Sequence, residues 1–249
     1  MKILLSGLRG HMGAELVRLA KEGYRGAELI GGVDRSADGS ESVPCVRTFD
    51  AAETAVDCVV DFSHHSNTHA LVRFAEAHGL PLIIATTGQD EAELAEIRAA
   101  AERIPVFFSA NMSLGVALLV ELAKQTAAAM PDAEIEIIEK HHDRKLDAPS
   151  GTALMLARAI AQVRASAFSV TGRRGHGRRT PEEIGIHSVR LGDLVGSHEV
   201  LVGTRTETIT LRHEAHSRAL FAEGALAAAE FLCRQGPGLY DMTSLVSFA

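Results

Sequence analysis

The segment IIEKHHDRKLDAPSGTA, residues 137–153, brings together side chains that could move a proton and hold an anion. His141 titrates near neutral pH and suits a general acid, and Lys145 can donate a proton or hold a carboxylate. The turn Ser150-Gly151-Thr152 has the residue types of a helix start, where outward-facing N–H groups bind anions. The segment predicts an acid site beside a receptor for a carboxylate-bearing substrate. A charge-rich solvated loop is the alternative.

Regular elements are predicted on both sides of this segment. Ala133–Glu139 alternates Glu and Ile, which is the period of a half-buried strand, and Thr152–Ala165 has the pattern of a helix. The proton-donating and anion-binding groups are therefore expected on a strand-to-helix connection.

A second candidate site follows the first predicted strand. Residues 7–13, GLRGHMG, connect strand Lys2–Ser6 to helix Met12–Glu22. Glycines at such a place allow a tight turn and close approach to a pyrophosphate, and the helix start supplies N–H donors. Asp34 follows the next strand, Ala27–Val33, where an acidic residue would bind ribose hydroxyls. Because the spacing is GxxGxxG rather than GxGxxG, an ordinary glycine-rich turn is the alternative to a dinucleotide site.

Asp34 and its neighbour also bear on which dinucleotide is bound. An acidic residue at this place favours NADH, whereas Arg35 can accommodate the 2′-phosphate of NADPH. We expect both cofactors to be used, with a preference for NADH.

Two further segments carry groups suited to a nicotinamide carboxamide. Ala85-Thr86-Thr87 and Ser109-Ala110-Asn111-Met112 each come directly after an apolar strand. Ligands of open α/β sheets bind beyond the carboxyl ends of the strands, so both segments are predicted to line the nicotinamide half of the cleft. Generic turn polarity is the alternative.

The order of elements predicts two domains. The first half alternates strands and helices, which predicts a parallel sheet. Its further predicted strands are Val56–Phe62, Leu80–Ala85 and Pro105–Phe108, and its further helices are His69–His78 and Glu91–Arg103. After Asn111 a long helix, Leu114–Ala129, is followed later by strands Ile184–Arg190, His198–Val202 and Thr206–Arg212, whose glycine-containing turns predict antiparallel pairing. The last predicted helix, Ser217–Arg234, could return to the first domain.

Composition excludes several classes of protein. The chain has 249 residues, a formal net charge of -7, 46% hydrophobic and 23% charged residues, and no apolar run of membrane-spanning length. The excess of acidic residues argues against a general nucleic-acid surface. Cys45, Cys58 and Cys233 lack metal-like spacing, which favours reduced thiols and a cytoplasmic location.

Two other clusters of titratable residues occur in the sequence. His64, His65 and His69 include a pair with metal-ligand spacing, but no Cys or carboxylate neighbours complete a set, so a polar loop at the cofactor cleft is favoured and no metal is expected. The basic stretch Arg173–Arg179 could gate substrate carboxylates or form a solvated loop.

Several motifs together resemble those of the dihydrodipicolinate reductase family, also called 4-hydroxy-tetrahydrodipicolinate reductases. The most specific is EIIEKHHDRKLDAPSGTA. GLRGHMG, VDFSHHSNT, ATTG, FFSANMSLGV, GRRGHGRRTPEEIGIHSVRLGDLVGSHEV and LRHEAHSRALFAEGA occur with it in the family's order. The resemblance covers nearly the whole chain. His11 departs from it, standing where the family usually has Arg or Lys, as do Ala85 (many have Gly) and His65 (Pro is frequent).

This resemblance implies an α/β fold. A Rossmann-type parallel-sheet domain, residues 1–112 completed by 217–249, would be joined by a second α+β domain for substrate binding and tetramerisation, residues 113–216. It implies NAD(P)H-dependent reduction of 4-hydroxy-tetrahydrodipicolinate to tetrahydrodipicolinate in diaminopimelate and lysine biosynthesis, with hydride delivered to C4. The partners expected are a small dicarboxylate substrate and other copies of the chain in a homotetramer, without nucleic acid or membrane. Another Rossmann two-domain dehydrogenase, or a dinucleotide-sensing protein without turnover, is the alternative.

The resemblance also implies roles for single residues. His141 and Lys145 correspond to the family's acids, and His142, Gly151 and Thr152 to its substrate ligands. The cofactor-binding set comprises Gly7, Leu8, Arg9, Gly10, His11, Met12, Asp34, Ala85, Thr86, Thr87, Ser109, Ala110, Asn111 and Met112.

Overall fold

The computed structural model describes residues 1–246. It divides into two compact units, one formed by Met1–Leu114 and Ala219–Leu245, the other by Gly115–Arg218 with Val246. Residues 247–249 of the segment predicted to complete the first domain lie outside the described residues.

The first unit is built on parallel strands joined by helices. In chain order its elements are β1 Lys2–Ser6, α1 His11–Lys21, β2 Glu28–Val33, β3 Cys45–Val46, β4 Cys58–Asp61, α2 Thr68–His78, β5 Leu82–Ile84, α3 Glu91–Ala100 and β6 Pro105–Phe108. Apolar runs such as Ile3–Leu5 and Cys58–Val60 are fully buried, as expected for strands covered on both faces. The Asp90 side chain and Glu93 form a capping box that fixes the start of α3.

The second unit is a mixed sheet with helices on one face. Its elements are α4 Leu114–Ala129, β7 Glu134–His141, α5 Gly151–Val163, β8 Phe168–Thr171, β9 Glu183–Arg190, β10 Gly196–Gly203 and β11 Thr208–Ala215. One core contains Val116 and Leu119 from α4, Leu156 and Ile160 from α5, and inward side chains of β7, β9 and β10. Arg164, just after α5, donates hydrogen bonds to the carbonyl oxygens of Ala127, Met130 and Ala133, which fixes the end of α4.

The chain then returns to the first unit through α6 Ala219–Leu232, β12 Gly238–Tyr240 and α7 Thr243–Val246. Helix α6 packs on β4, β5 and β6, and β12 adds a strand beside β6. The segment Gly236-Pro237-Gly238 follows the end of α6 and leads directly into an edge strand, which the sequence analysis did not predict.

All seven strands of the first sheet are parallel, in the order β12-β6-β5-β4-β1-β2-β3. The chain proceeds from β1 outward to β2 and β3, and then crosses back to β4 on the other side of β1. This reversal of direction at β1 is the place where open α/β sheets bind their ligands. The fold-class prediction, a Rossmann-type parallel sheet with a second α+β domain, is confirmed.

The prediction of antiparallel pairing in the second unit is only partly right. The order there is β11-β10-β7-β9-β8, and β10 pairs antiparallel with β7 and β11, but β9 pairs parallel with both β7 and β8. The reason is that two connections carry the chain back along the sheet: helix α5 before β8, and residues 172–182 before β9, so that both strands run in the direction of β7. His141 and Arg190 therefore lie opposite each other at the carboxyl ends of neighbouring strands.

No helix among residues 1–246 combines the length and apolar character that a membrane crossing requires.

Candidate functional site

The glycine loop after β1 has the geometry of a phosphate-binding turn. Gly7 adopts a φ of 85°, and a Cβ there would lie 2.7 Å from the backbone oxygen of Phe62. A Cβ on Gly13 would lie 2.3 Å from the oxygen of Leu8, because the first turn of α1 packs directly on the loop. Both positions require glycine on steric grounds. The loop therefore fits a dinucleotide, since its backbone can approach a pyrophosphate at a helix start.

The remaining predicted loop residues differ in where their side chains lie. Leu8 is buried, with its side-chain atoms about 3.0 Å from where a Cβ on Gly32 would be, so only its backbone is available to a ligand. His11 is exposed at the first residue of α1, and Met12 is half-buried.

Asp34 is held in an acceptor role at the end of β2. Its carboxylate accepts hydrogen bonds from the backbone N–H of Arg9 at 3.0 Å and from the N–H and hydroxyl of Ser36 at 3.0 and 2.6 Å. Burial raises the pKa of Asp34, but the hydrogen bonds from Ser36 and Arg9 outweigh that effect and lower it below its ordinary value. The ionised carboxylate is thus fixed beside the glycine loop.

The side chain of Arg9 is engaged by an acidic loop. Its guanidinium lies 2.6 Å from Asp38 and 3.0 Å from Glu41, and donates to the carbonyl oxygen of Ser36. The predicted cofactor residue Arg9 therefore supplies its backbone to the loop and its positive charge to neighbouring carboxylates.

A cavity of about 970 Å³ opens beside these residues within the first unit. Its walls include Gly7, Gly10 and Asp34 from the predicted set, together with Arg35. Sequence reasoning missed the far wall, where α2 contributes Arg73, Phe74 and His78. Their helical spacing on α2 carried no distinctive signal, so only the tertiary structure identifies them.

A buried aspartate that sequence reasoning also missed organises the ends of β4 and β5. Asp61 ends β4 with 2% exposure, and accepts hydrogen bonds from the hydroxyls of Ser63 at 2.6 Å and Thr86 at 2.5 Å. Burial raises its pKa despite these bonds. Asp61 thereby fixes the predicted nicotinamide segment Ala85-Thr86-Thr87 at the end of β5. The VDFS sequence, an aspartate ending an apolar strand, is the signal that could have revealed it.

The segment Ser109–Met112 follows β6 and is held by its own polar groups and by α6. The Ser109 hydroxyl donates to the carbonyl oxygen of Asn111, and the Asn111 side-chain oxygen accepts from the N–H of Ser113. Met112 is buried, and Ala110 is exposed. Gly7, Asp34, Thr86 and this segment all follow strands of one parallel sheet, so the fold brings the predicted cofactor residues of the first unit to one edge.

The second unit contains the predicted acid. His141 ends β7, and its Nδ1 lies 2.5 Å from Oε2 of Glu139, which is fully buried. Arg190 pairs with the same carboxylate through both terminal nitrogens, each at 2.9 Å. Burial opposes ionisation of Glu139, but hydrogen bonds from Arg190, Ser188 and His141 outweigh it and lower the pKa of Glu139 to about 2. The arrangement is a carboxylate–imidazole pair with its charge compensated by a guanidinium.

The pKa of His141 lies below its ordinary value. Burial is the largest cause, Glu139 acts in the opposite direction, and the positive charges of Lys145 and Arg190 lower it further. Burial and the two cations therefore favour the neutral imidazole, and an anionic ligand beside it would favour the protonated form.

Lys145 lies in the loop after β7, where its Nζ pairs with Asp147 at 2.7 Å. His142 donates its backbone N–H to the carbonyl oxygen of Leu194, and its ring is half-buried. The Nδ1 of His142 is buried without a hydrogen-bond partner among the described residues.

The start of α5 adjoins this acid pair. Ser150 caps the helix by accepting the N–H of Ala153 at 3.2 Å, and its own N–H donates to Glu139 at 3.1 Å. Gly151 is exposed, with no atom within 4 Å of where a Cβ would be, and Thr152 is half-buried. The first turn of α5 therefore offers open space where the sequence predicts an anion to bind.

His198 of β10 lies beside Ser150 and His141, and the sequence analysis did not identify it. Its Nε2 lies 3.0 Å from the Ser150 hydroxyl, and its ring meets that of His141 edge to face, with centroids 5.1 Å apart. Burial, then the nearby charge of His141, lower the pKa of His198 to about 4.

Of the remaining clusters, the histidines adjoin the cavity of the first unit, which His64 and His69 help to line. His65 and His69 pair with different glutamates of α3, Glu93 and Glu96, and no group of three or more potential metal ligands converges in the part of the chain that the structure describes. Arg173 pairs with Glu136 and Glu183 at the beginnings of β7 and β9, the opposite end of the sheet from His141.

Comparison with known proteins gives matches over the whole of this architecture. A family model described as "Dihydrodipicolinate reductase, N-terminus" matches residues 1–112, and one described as "Dihydrodipicolinate reductase, C-terminus" matches residues 115–246. The chain is 44% identical over 248 residues to the 4-hydroxy-tetrahydrodipicolinate reductase of Caldanaerobacter subterraneus, covering 99% of this chain and 98% of the relative. It is 40% identical over 262 residues to that of Thiobacillus denitrificans, covering 99% of this chain and 98% of the relative.

Solved structures resemble this chain over nearly its whole length. A dipicolinate-bound dihydrodipicolinate reductase from Paenisporosarcina sp. TG-14 superposes with a TM-score of 0.81 at 27% identity, covering 97% of each chain. Aspartate dehydrogenase from Thermotoga maritima superposes with a TM-score of 0.50 at 14% identity, covering 94% of this chain and 97% of the other, which shows a shared fold alone.

Proposed function

The chain belongs to the dihydrodipicolinate reductase family, and we propose that it reduces 4-hydroxy-tetrahydrodipicolinate to tetrahydrodipicolinate with NADH or NADPH. The observation that carries this proposal for the chain's own residues is the Glu139–His141 pair beside the start of α5, in a unit that also presents Lys145. It provides an acid and a carboxylate receptor, the two functions that a ring-reducing enzyme acting on a dicarboxylate needs.

When bound, the reduced nicotinamide supplies a hydride, which would add to C4 of the ring as water is lost from the 4-hydroxy form. The backbone of Gly7–Met12 would hold the pyrophosphate and Asp34 the ribose. Thr86, fixed by Asp61, and the Ser109–Met112 segment would surround the nicotinamide.

Residues of the second unit would transfer the proton. Nδ1 of His141 is hydrogen-bonded to Glu139, so Nε2 is the atom that would exchange a proton with the substrate. Binding of a dianionic substrate would raise the pKa of His141 from its depressed value, because opposite charges favour the imidazolium. Lys145 would exchange Asp147 for a substrate carboxylate, and His142, Gly151 and Thr152 would complete the substrate site.

Between the two cofactors, we propose a preference for NADH. Asp34 is ionised, and Asp38 and Glu41 lie close by on the same loop, where they occupy the guanidinium of Arg9. Three carboxylates near the ribose site would repel a 2′-phosphate. Arg35, which lines the cavity, offers partial compensation and accounts for the expected use of NADPH.

For the assembly, we propose a homotetramer formed through the sheet of the second unit. Helices α4 and α5 pack on one face of this sheet, whereas the other face presents half-exposed apolar side chains, including Ile138 and Leu201, among charged ones. Multi-angle light scattering should give four times the chain mass, and Ile138→Glu should reduce it. A monomeric wild-type protein would refute this proposal.

For the location, we propose the cytoplasm. Cys45, Cys58 and Cys233 all remain free thiols, which fits a reducing compartment.

The experiment for the proposed function is oxidation of NADH and of NADPH coupled to freshly generated 4-hydroxy-tetrahydrodipicolinate. Substrate-dependent oxidation is expected with both. NADH binding without oxidation would instead indicate a dinucleotide-sensing protein. Oxidation only with another substrate of a panel, such as aspartate, would indicate a different two-domain dehydrogenase.

A further inference from the structure

Arg190, the last residue of β9, uses every N–H of its guanidinium. Nε donates to the carbonyl oxygen of Lys145 at 3.3 Å. One terminal nitrogen donates to Glu139 and to the carbonyl oxygen of Val189, and the other donates to Glu139 and to the carbonyl oxygen of Asp147. Because a guanidinium has five N–H donors, none remains for a ligand. Arg190 therefore organises the protein rather than binding substrate.

Glu139 is saturated in the same way. Its Oε1 accepts from Arg190 at 2.9 Å and from the N–H of Ser150 at 3.1 Å, and its Oε2 accepts from Arg190 at 2.9 Å and from His141 at 2.5 Å. One buried carboxylate thus joins the end of β7, the end of β9 and the start of α5.

We propose that Glu139 and Arg190 form a positioning pair, which holds His141 with its proton on Nδ1 and Nε2 available for proton transfer, and fixes the loop that carries Lys145. This proposal rests on the proposed function, because it concerns the same acids. In this proposal neither residue contacts the substrate.

The separate roles of Glu139 and Arg190 follow from the chemistry of a carboxylate and of a guanidinium. A carboxylate that faces Nδ1 selects the tautomer with hydrogen on that nitrogen, and so leaves Nε2 to exchange protons. The guanidinium balances the charge of the buried carboxylate, so Glu139 stays ionised and does not take the proton from His141. Its planar fork also reaches the backbone of Lys145 and Asp147, which the single ammonium of a lysine could not do at the same time.

A purely structural role predicts something different. A buried ion pair that only joined two strands would affect folding, but it would leave the tautomer of His141 and the pH profile of the folded enzyme unchanged. These two properties therefore separate a positioning role from a structural one.

The groups that face His141 determine the direction of the pH effect. They are Glu139 on its own strand, Arg190 from β9, His198 from β10 and Lys145 from the following loop. Of these, Glu139 alone raises the pKa of His141, and Lys145 and Arg190 lower it. Removing the charge of Glu139 should therefore move the alkaline decline of turnover, where the imidazolium is lost, to lower pH.

The test is Glu139→Gln in the full-length protein, with ¹⁵N-histidine NMR and steady-state kinetics. We expect His141 to lose its fixed Nδ1–H tautomer, kcat to fall roughly 10²–10³-fold, and the dissociation constant of NADH to stay close to that of the wild type. The alkaline limb of the kcat profile should shift to lower pH. Arg190→Lys should also lower kcat, because it keeps the charge but loses the fork.

Glu136→Gln is the matched control. Glu136 lies on the same strand and pairs with a histidine, His187, at 2.8 Å, but at the other end of the sheet. This variant should leave kcat and the pH profile unchanged. If Glu139→Gln fails to fold, the double variant Glu139→Gln/Arg190→Gln, which leaves no uncompensated charge, provides the same two measurements.

An unchanged His141 tautomer together with an unchanged pH profile, in whichever of these variants folds, would overturn the proposal. The NMR measurement does not need turnover. An inactive wild-type protein would therefore refute the proposed function, whereas the tautomer would still decide the positioning role.

Discussion

The imidazole of His141 packs against Gly196, and Nε2 is the ring atom nearest to where a Cβ of that residue would be. A Cβ at position 196 would lie 3.0 Å from Nε2 and 3.3 Å from Cδ2 of the ring, although the two residues lie on different strands. Glycine at this position therefore keeps open the space beside the nitrogen that we propose to exchange the proton.

Gly196→Ala should accordingly impair the reaction without unfolding the protein. The added methyl group would displace the imidazole by a few tenths of an ångström or cover Nε2, and displacement of a reacting group costs up to about 10²-fold in rate. Steady-state kinetics should show a lower kcat with unchanged NADH binding. Gly203→Ala is the control, because it lies on the same strand and its Cβ would meet only Thr208 at an ordinary 3.5 Å. Equal kcat values for both variants would contradict the assignment of Nε2.

The two proposed acids can be tested by direct removal. We expect His141→Gln and Lys145→Ala each to reduce turnover by roughly 10²–10⁴-fold, the usual effect of losing a positioned general acid. NADH affinity, measured by fluorescence titration, should survive in both. Near-normal turnover of either variant would remove that residue from the mechanism.

Asp34 should set the affinity for NADH. Its ionised carboxylate would accept charge-assisted hydrogen bonds from the ribose, and losing these bonds costs about 1.5–3 kcal/mol. Asp34→Ala should therefore raise the dissociation constant of NADH roughly 10–100-fold, with a smaller effect on NADPH. Asp50→Ala alters another carboxylate on the same cavity wall and serves as the control. A stronger loss for NADPH than for NADH would contradict the proposed preference.

His198 makes stability depend on pH in a definite direction. Its pKa in the folded protein is about 4, below the ordinary 6.5, so between these values the unfolded chain binds a proton that the native state does not. Stability is therefore complete above about pH 6.5 and falls as the pH drops towards 4, by about 2 kcal/mol at pH 5 and at most about 3 kcal/mol in total.

Urea denaturation of the wild type and of His198→Gln at pH 7 and pH 5 would measure this contribution. The variant should lose less stability on acidification, and His176→Gln, in an exposed loop, should behave as the wild type. The stability that ionised Glu139 contributes is complete above about pH 4.5 and is lost only as the pH falls from there towards its pKa of about 2, so the two losses occupy largely different pH ranges. Identical pH dependence in wild type and His198→Gln would contradict the assignment.

Gly224 of α6 controls the packing of a predicted cofactor segment. A Cβ there would lie 1.7 Å from the backbone oxygen of Met112, so Gly224→Ala must push α6 and the Ser109–Met112 segment apart. We expect a loss of about 1–3 kcal/mol in the free energy of unfolding, together with weaker NADH binding. Gly236→Ala, with no atom within 4 Å of the new Cβ, should change neither. A fully stable Gly224→Ala protein would show that the segment tolerates displacement.

The sequence by itself determined the features that depend on local pattern. Alternating strands and helices, the glycines of residues 7–13, Asp34 after β2 and the spacing from His141 to Lys145 are all properties of short segments, because side-chain periodicity and turn chemistry act over a few residues. From them followed the parallel sheet of the first domain, the change to a second domain after Asn111 and the strand-to-helix connection that holds the proposed acids, whereas the Rossmann-type fold and the α+β domain were implied by the resemblance of the motifs.

The tertiary structure alone decided which distant residues meet. Glu139 and Arg190 are 51 positions apart, and they pair because the chain returns through α5 and again through residues 172–182, so that β9 runs parallel to β7 and ends beside it. Arg190 has no distinctive local signal, whereas Glu139 breaks the alternation of Glu and Ile and falls in the register of Ile135 and Ile137, a signal that the sequence analysis did not use. Strand alternation placed Glu139 on the buried face with His141, and only a buried carboxylate required a guanidinium to compensate its charge.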